Sequence, residues 1–235
     1  MAILFIKAKG GEDMENRKKT EGKTAEVVFI IDRSGSMAGL EADTIGGFNS
    51  TLNEQKKSSD NVIWSTVLFD HEQKVIHDRV PIDRVKELTQ EDYFVRGSTA
   101  LLDAVGGAIH HIGNVHKYAR AEDVPERTLF VITTDGMENS SCRYTYREVE
   151  KMIRRQQDRY GWEFLFMGAN MDAVSVAGRM GIPESRAATF INDEIGIETN
   201  YRVVREAVRR TARMEELGEE ILGEIRADYK KRGMK

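Results

Sequence analysis

Cysteine is nearly missing from this sequence: Cys142 is the only one in 235 residues. A single thiol forms no internal disulfide, and there is no Cys spacing for zinc. Nothing in the cysteine usage points to an oxidising compartment. An excess of charge of either sign is also missing. The 35 basic and 39 acidic residues leave a net charge of −4, a balance that asks for neither a nucleic-acid partner nor a membrane surface. No apolar run approaches the ~20 residues that cross a bilayer. The start, Met1–Gly10, holds only the short apolar stretch Ile3–Ile6, with its lysines after it. A signal peptide puts basic residues first and a longer apolar core behind them. The cytoplasm is therefore the expected location. There are no internal repeats.

A hydrophobic share of 40% is enough for a sizeable core, and 31% charged residues give a well-solvated surface without implying disorder. The length suits one α/β domain with short extensions, or at most two small domains. Residues 7–24, KAKGGEDMENRKKTEGKT, are polar and aperiodic, and residues 1–24 are read as a flexible lead-in. The character then changes abruptly. Ala25–Ile31 is a continuous apolar run ending at Asp32, and Val62–Phe69, Thr128–Thr133 and Trp162–Met167 have the same form. Such runs fit strands buried on both faces of a parallel sheet. Helical patterns lie between them at Leu40–Lys57, Thr99–Tyr118, Tyr146–Tyr160 and Asp172–Met180. Lys74–His77 reads as a short strand after a hairpin turn at Asp70–Gln73, and Ala187–Ile191 as a last edge strand. Strands alternating with helices indicate a doubly wound, Rossmann-like α/β sheet of about six strands with helices on both faces, over residues 25–197.

The remainder, 198–235, is read as one long amphipathic helix from about Thr199 to Lys231. Tyr201, Val204, Val208, Thr211, Met214, Leu217, Ile221, Ile225 and Tyr229 recur every three or four residues, forming one stripe on a charged cylinder. Gly218 and Gly223 weaken its distal half by roughly 1 kcal/mol each. Either the stripe packs on the domain, or its distal part docks a partner or a second copy.

The chemistry concentrates at strand ends. The first strand ends in Asp32-Arg33-Ser34-Gly35-Ser36, where a doubly wound sheet binds its ligands. Alternation in a tight turn brings Asp32, Ser34 and Ser36 toward one point, and Gly35 and Gly39 give the backbone the freedom to do so. The third run ends in Thr133-Thr134-Asp135-Gly136, which puts a second carboxylate at the same sheet edge. Arg96-Gly97-Ser98-Thr99 offers a hydroxyl at a helix start. Two carboxylates and three hydroxyls without sulfur or imidazole make a hard-oxygen site, suited best to Mg²⁺, with Mn²⁺ and Ca²⁺ as alternatives. Each of these oxygens taken singly is also an ordinary helix-capping group.

DRSGS on the first strand, GST ahead of ALLDA, and TTDG after TLFVI resemble the von Willebrand factor A domain with its metal-ion-dependent adhesion site, over roughly residues 25–195. The resemblance implies that Ser34, Ser36 and Thr99 ligate the metal directly. It implies that Asp32 and Asp135 often act through water, and that an acidic residue of a partner completes the shell. It also implies a mostly parallel sheet with one antiparallel edge strand, which suits Lys74–His77. Intracellular members of that family are often accessory subunits of larger assemblies, including ATPase and stress-resistance complexes. On this reading the chain is a protein-binding module, and Arg33, Met37, Arg96, Met137 and Asn170 are expected to form the rim that meets the partner. The alternative is an enzyme using the same ion, for which Asp70 and Glu138 are the nearest candidate bases.

Other motifs carry less. Gly22-Lys23-Thr24 lacks the upstream Gly of a phosphate loop and precedes its strand. His110, His111 and His116 are not spaced by three or four, so no zinc site is expected on that helix. Ser34 and Ser36 do not fit the nucleophile elbow. Ser34 stands where haloacid-dehalogenase-like phosphatases carry their acid, which argues against phosphoryl transfer through Asp32. Cys142, in NSSCRY, is read as a bystander thiol.

Overall fold

The computed structural model describes residues 22–58, 60–169 and 171–233. The expected lead-in at 1–24 lies almost wholly outside the described residues, as does Asn170. Six strands, β1 (Ala25–Asp32), β2 (Val62–Phe69), β3 (Gln73–Pro81), β4 (Arg127–Thr134), β5 (Glu163–Ala169) and β6 (Ala187–Phe190), form one sheet in the order β3-β2-β1-β4-β5-β6. Only β3 runs antiparallel to its neighbour. The helices are α1 (Glu41–Lys57), α2 (Leu101–Tyr118), α3 (Tyr146–Tyr160), α4 (Ala173–Arg179), α5 (Glu194–Ala212) and α6 (Gly223–Arg232).

Alternate residues of β1 point to opposite faces. Val27, Phe29 and Ile31 enter a core with Phe48 of α1 and Val204 and Val208 of α5. Val28 and Ile30 enter a second core with Val105 and Ile109 of α2 and Ile153 of α3. Both faces are covered, so the central strands read as unbroken apolar runs. β3 is different. It is a half-exposed edge strand, longer than the expected Lys74–His77, with register shifts against β2 and a left-handed residue at Arg79. Its polar sequence, QKVIHDRVP, hid its ends.

The strand order reverses between β1 and β4. That reversal opens a crevice beyond their carboxyl ends, the place where such sheets bind ligands. The register pairs Ile31 with Thr133, so Asp32 and Thr134 emerge side by side.

The single helix expected over 199–231 is two helices. α5 starts earlier, at Glu194, and the expected boundary at 198 falls inside it. It ends at Ala212, where Met214 takes a left-handed φ of 58°. An unbroken helix of that span would run ~50 Å, against the ~27 Å of an eight-residue strand. Breaking the helix lets the stripe turn back onto the sheet. Leu217, Ile221, Leu222 and Ile225 are buried, and the guanidinium of Arg186 donates to the carbonyls of Leu217 and Gly218. The stripe therefore packs on the domain, with Tyr229 left exposed.

Candidate metal centre

Asp32 is the last residue of β1 and is fully buried. Its Oδ1 accepts from the Ser34 amide at 2.7 Å and its Oδ2 from the Thr134 hydroxyl at 2.5 Å. The first bond turns the chain at once into a single 3-10 turn, Gly35–Met37. That turn brings Ser34 Oγ to 3.1 Å from Ser36 Oγ. Neighbouring loops brace it: Gly35 donates to the Gly97 carbonyl at 3.1 Å, Arg96 to the Arg33 carbonyl at 2.9 Å, and Tyr93 Oη to the Asp32 carbonyl at 2.6 Å.

Thr99 is fixed by a two-way pair. Its amide donates to Asn139 Oδ1 at 2.9 Å, and the Asn139 amide donates to its carbonyl at 3.1 Å. The meeting point of the hydroxyls is visible at Gly136. A Cβ placed there would lie 2.5 Å from Thr99 Oγ1, 3.2 Å from Ser36 Oγ and 3.4 Å from Ser34 Oγ. Three hydroxyls from two loops, Ser34 and Ser36 on one and Thr99 on the other, converge on the space that this glycine leaves open. Ser34 and Thr99 are buried and Ser36 is exposed, so the cradle opens to solvent on the Ser36 side.

Asp135, directly before Gly136, is buried and accepts a hydrogen bond from the Asn192 amide side chain. Burial pushes the Asp32 carboxyl above its ordinary range. The Thr134 hydroxyl and the Ser34 side chain and amide oppose this, and the neighbouring Asp135 charge adds to the rise. Two desolvated carboxylates behind three hydroxyls form a donor set that fits a hard divalent cation.

The expected rim is only partly at the surface. Arg33 is buried, and its Nε contacts Asp70 Oδ2 at 2.8 Å. Met37 is buried too. Neither presents its side chain to the surface: Arg33 neutralises a buried carboxylate, and Met37 is buried at the end of the turn. Arg96 is half-exposed and joins Asp70 at 2.9 Å and Glu72 at 2.6 Å. Met137 is exposed. Phe94 went unnoticed in the sequence although it is exposed beside the cradle, with Arg33 and Arg96 against its ring at 5.3 and 5.9 Å. Its signal was an aromatic in the polar loop ahead of Thr99. Asn192 left no signal.

Both candidate bases are engaged. Glu138 accepts from the amides of Leu102, Ser140 and Ser141 and from the Ser141 hydroxyl. Asp70, His71 and Glu72 offer ligand atoms close together, but against its burial the Glu72 amide, then the Arg96 and Arg33 guanidiniums, already hold the Asp70 carboxyl below its ordinary range. The helix histidines go separate ways, His111 to Asp78 and His116 to Glu26. Cys142 is exposed, and its amide donates to Asp103.

No family model matches the sequence, and no curated protein matches it. Solved structures do. The von Willebrand factor type A protein from Catenulispora acidiphila superposes with a TM-score of 0.53 at 12% identity, covering 81% of this chain and 43% of that one. The chain has the von Willebrand factor A fold. A mutant of the PilB minor pilin from Streptococcus sanguinis shares it, with a TM-score of 0.57, 10% identity and coverage of 82% and 63%. So does proximal thread matrix protein 1 of the mussel byssus, with zinc in its MIDAS motif, at a TM-score of 0.52, 13% identity and coverage of 79% and 46%. This chain spans 43% to 63% of the length of these three proteins. Among the described residues no helix is long and apolar enough to cross a membrane.

Proposed function

We propose that the chain is a divalent-cation-dependent protein-binding module. Ser34, Ser36 and Thr99 would hold the cation through their hydroxyls, with Asp32 and Asp135 acting a shell away through water. The observation that carries this reading is the convergence of the three hydroxyls over Gly136. A cation held there supplies a Lewis-acid position for an Asp or Glu of another protein, and keeping the two carboxylates at a distance leaves it more of its positive charge. The zinc in the mussel protein's MIDAS motif supports a cation at the corresponding place. The all-oxygen donors here favour Mg²⁺, with Mn²⁺ and Ca²⁺ next. The partner class proposed is a subunit of a larger ATPase or stress-response assembly, in the cytoplasm.

An enzyme using the same ion is less well supported, because Asp70 and Glu138 are committed to guanidiniums and to backbone and hydroxyl donors. Calorimetry with Mg²⁺ on the wild type and on Asp135→Ala, with a metal-dependent pull-down beside it, tests the reading. Uptake by the wild type and weakened uptake by the variant are expected. A wild type that takes up no divalent ion would sink it, and Mg²⁺-dependent turnover of a phosphoester without partner capture would favour the enzyme.

A further inference from the structure

Exposed large apolar side chains are common one at a time and need no explanation. Two of them here belong to loops that frame the hydroxyl cradle, and a third opens α5 just after a residue that bonds Asp135. Phe94 is 46% exposed, Met137 66% and Ile195 56%. The Phe94 loop is tied to the Asp32–Gly35 turn through Tyr93, Arg96 and Gly97. Met137 follows Gly136, the glycine on which the hydroxyls converge. Ile195 lies three residues after Asn192, which bonds Asp135. Val75, Tyr118, Tyr160 and Tyr229, the other exposed large apolar side chains among the described residues, lie on β3 and at the distal parts of three helices.

Phe94 already has two guanidiniums against its ring, so burying the part of it that is exposed orders little that is not ordered now. Aromatic and Met side chains are the types enriched at interface centres. The charge around the cradle also selects. Arg96, the nearby cation, is paired with Asp70 and Glu72. Glu72 is exposed, as is Glu194 beside Ile195. A second acidic residue on an approaching chain would meet these carboxylates, and an apolar one would meet Phe94, Met137 or Ile195.

We propose that this rim reads a segment of another protein in which one Asp or Glu is flanked by large apolar residues. The inference rests on the cation site proposed above. An acidic tract, or a lone carboxylate among small polar residues, is the wrong ligand.

The test is a displayed peptide library with a central Asp and randomised flanks, selected on the full chain in Mg²⁺ and in EDTA. The comparison protein is Phe94→Ala/Met137→Ala/Ile195→Ala, whose changed side chains are all exposed and donate nothing to the cradle. Leu, Ile, Met and Phe are expected to be enriched at the flanks about tenfold, in Mg²⁺ only, equivalent to ~1.4 kcal/mol. The triple variant should lose that enrichment while its calorimetric Mg²⁺ uptake stays at the wild-type value. Acidic or unselected flanks, or the same enrichment on the triple variant, would overturn the rim and leave the cation site standing. Absent Mg²⁺ uptake by the wild type would overturn both. Sedimentation in Mg²⁺ adds a further outcome: a dimer that the triple variant abolishes would give the surface to a second copy and overturn the assignment.

Discussion

Thr99 and Gly136 come from loops 37 positions apart in sequence, yet a methyl group on Gly136 would lie 2.5 Å from the Thr99 hydroxyl. Gly136→Ala should therefore leave the sheet intact while displacing Thr99. An overpacking cost of about 1–3 kcal/mol is expected, and Mg²⁺ affinity should fall at least about tenfold, or ~1.4 kcal/mol. Calorimetry beside a urea melt separates the two effects. Unchanged affinity would mean that Thr99 takes no part in holding the ion.

Arg33 sits in the middle of the metal motif but acts on Asp70. Arg33→Met removes one of two guanidiniums from a fully buried carboxylate. A loss of about 3 kcal/mol in unfolding free energy is expected, and Arg33→Met/Asp70→Asn should recover part of it. Chemical denaturation of the wild type, the single and the double variant checks this. A single variant as stable as the wild type would refute the pairing.

The C-terminal segment belongs to the core. Leu222→Ala should cost about 2–5 kcal/mol, because Leu222 is fully buried in the cluster that also holds Val204 and Ile225. Deleting residues 216–235 should abolish cooperative unfolding in a thermal melt. A truncated chain that melts cooperatively near the wild-type temperature would instead free this segment for a partner.

Glu206 gives a pH dependence. Hydrogen bonding from Arg209, with Arg210 beside it, outweighs burial and holds its carboxyl down at about 2, against an ordinary 4.5. A carboxylate depressed in the folded state stabilises above its unfolded pKa, and that stabilisation is lost as pH falls through the folded one. Glu206→Gln should therefore be less stable than the wild type at pH 7. The gap should stay constant down to about 4.5 and close between there and about 2. Urea midpoints across that range measure it; a gap of constant size would rule Glu206 out.

The central strands were legible because burial on both faces leaves no polar alternation to misread. The carboxylates and hydroxyls of the cradle were legible because each sits at a strand end or helix start. Arg33 was misplaced because a charged side chain beside a metal motif looks like surface. Its partner was in fact within reach of reasoning. β1 and β2 are parallel eight-residue runs, each followed or closed by an aspartate, and aligning their ends sets Asp32 beside Phe69 and Arg33 beside Asp70. The break after Ala212 was not legible, since the apolar spacing continues through it. What ends the helix is the limited depth of the sheet on which it packs.

Asp103 has a consequence for binding speed. Its buried carboxylate collects the amides of Cys142, Arg143 and Tyr144, at the far end of the loop that begins with Gly136 and Met137. Glu138 and Asn139 hold that loop from within. The conformational entropy of this stretch is given up when the chain folds, before any partner arrives. An encounter at this face has little left to order, so its rate should be set by diffusion and orientation rather than by loop closure.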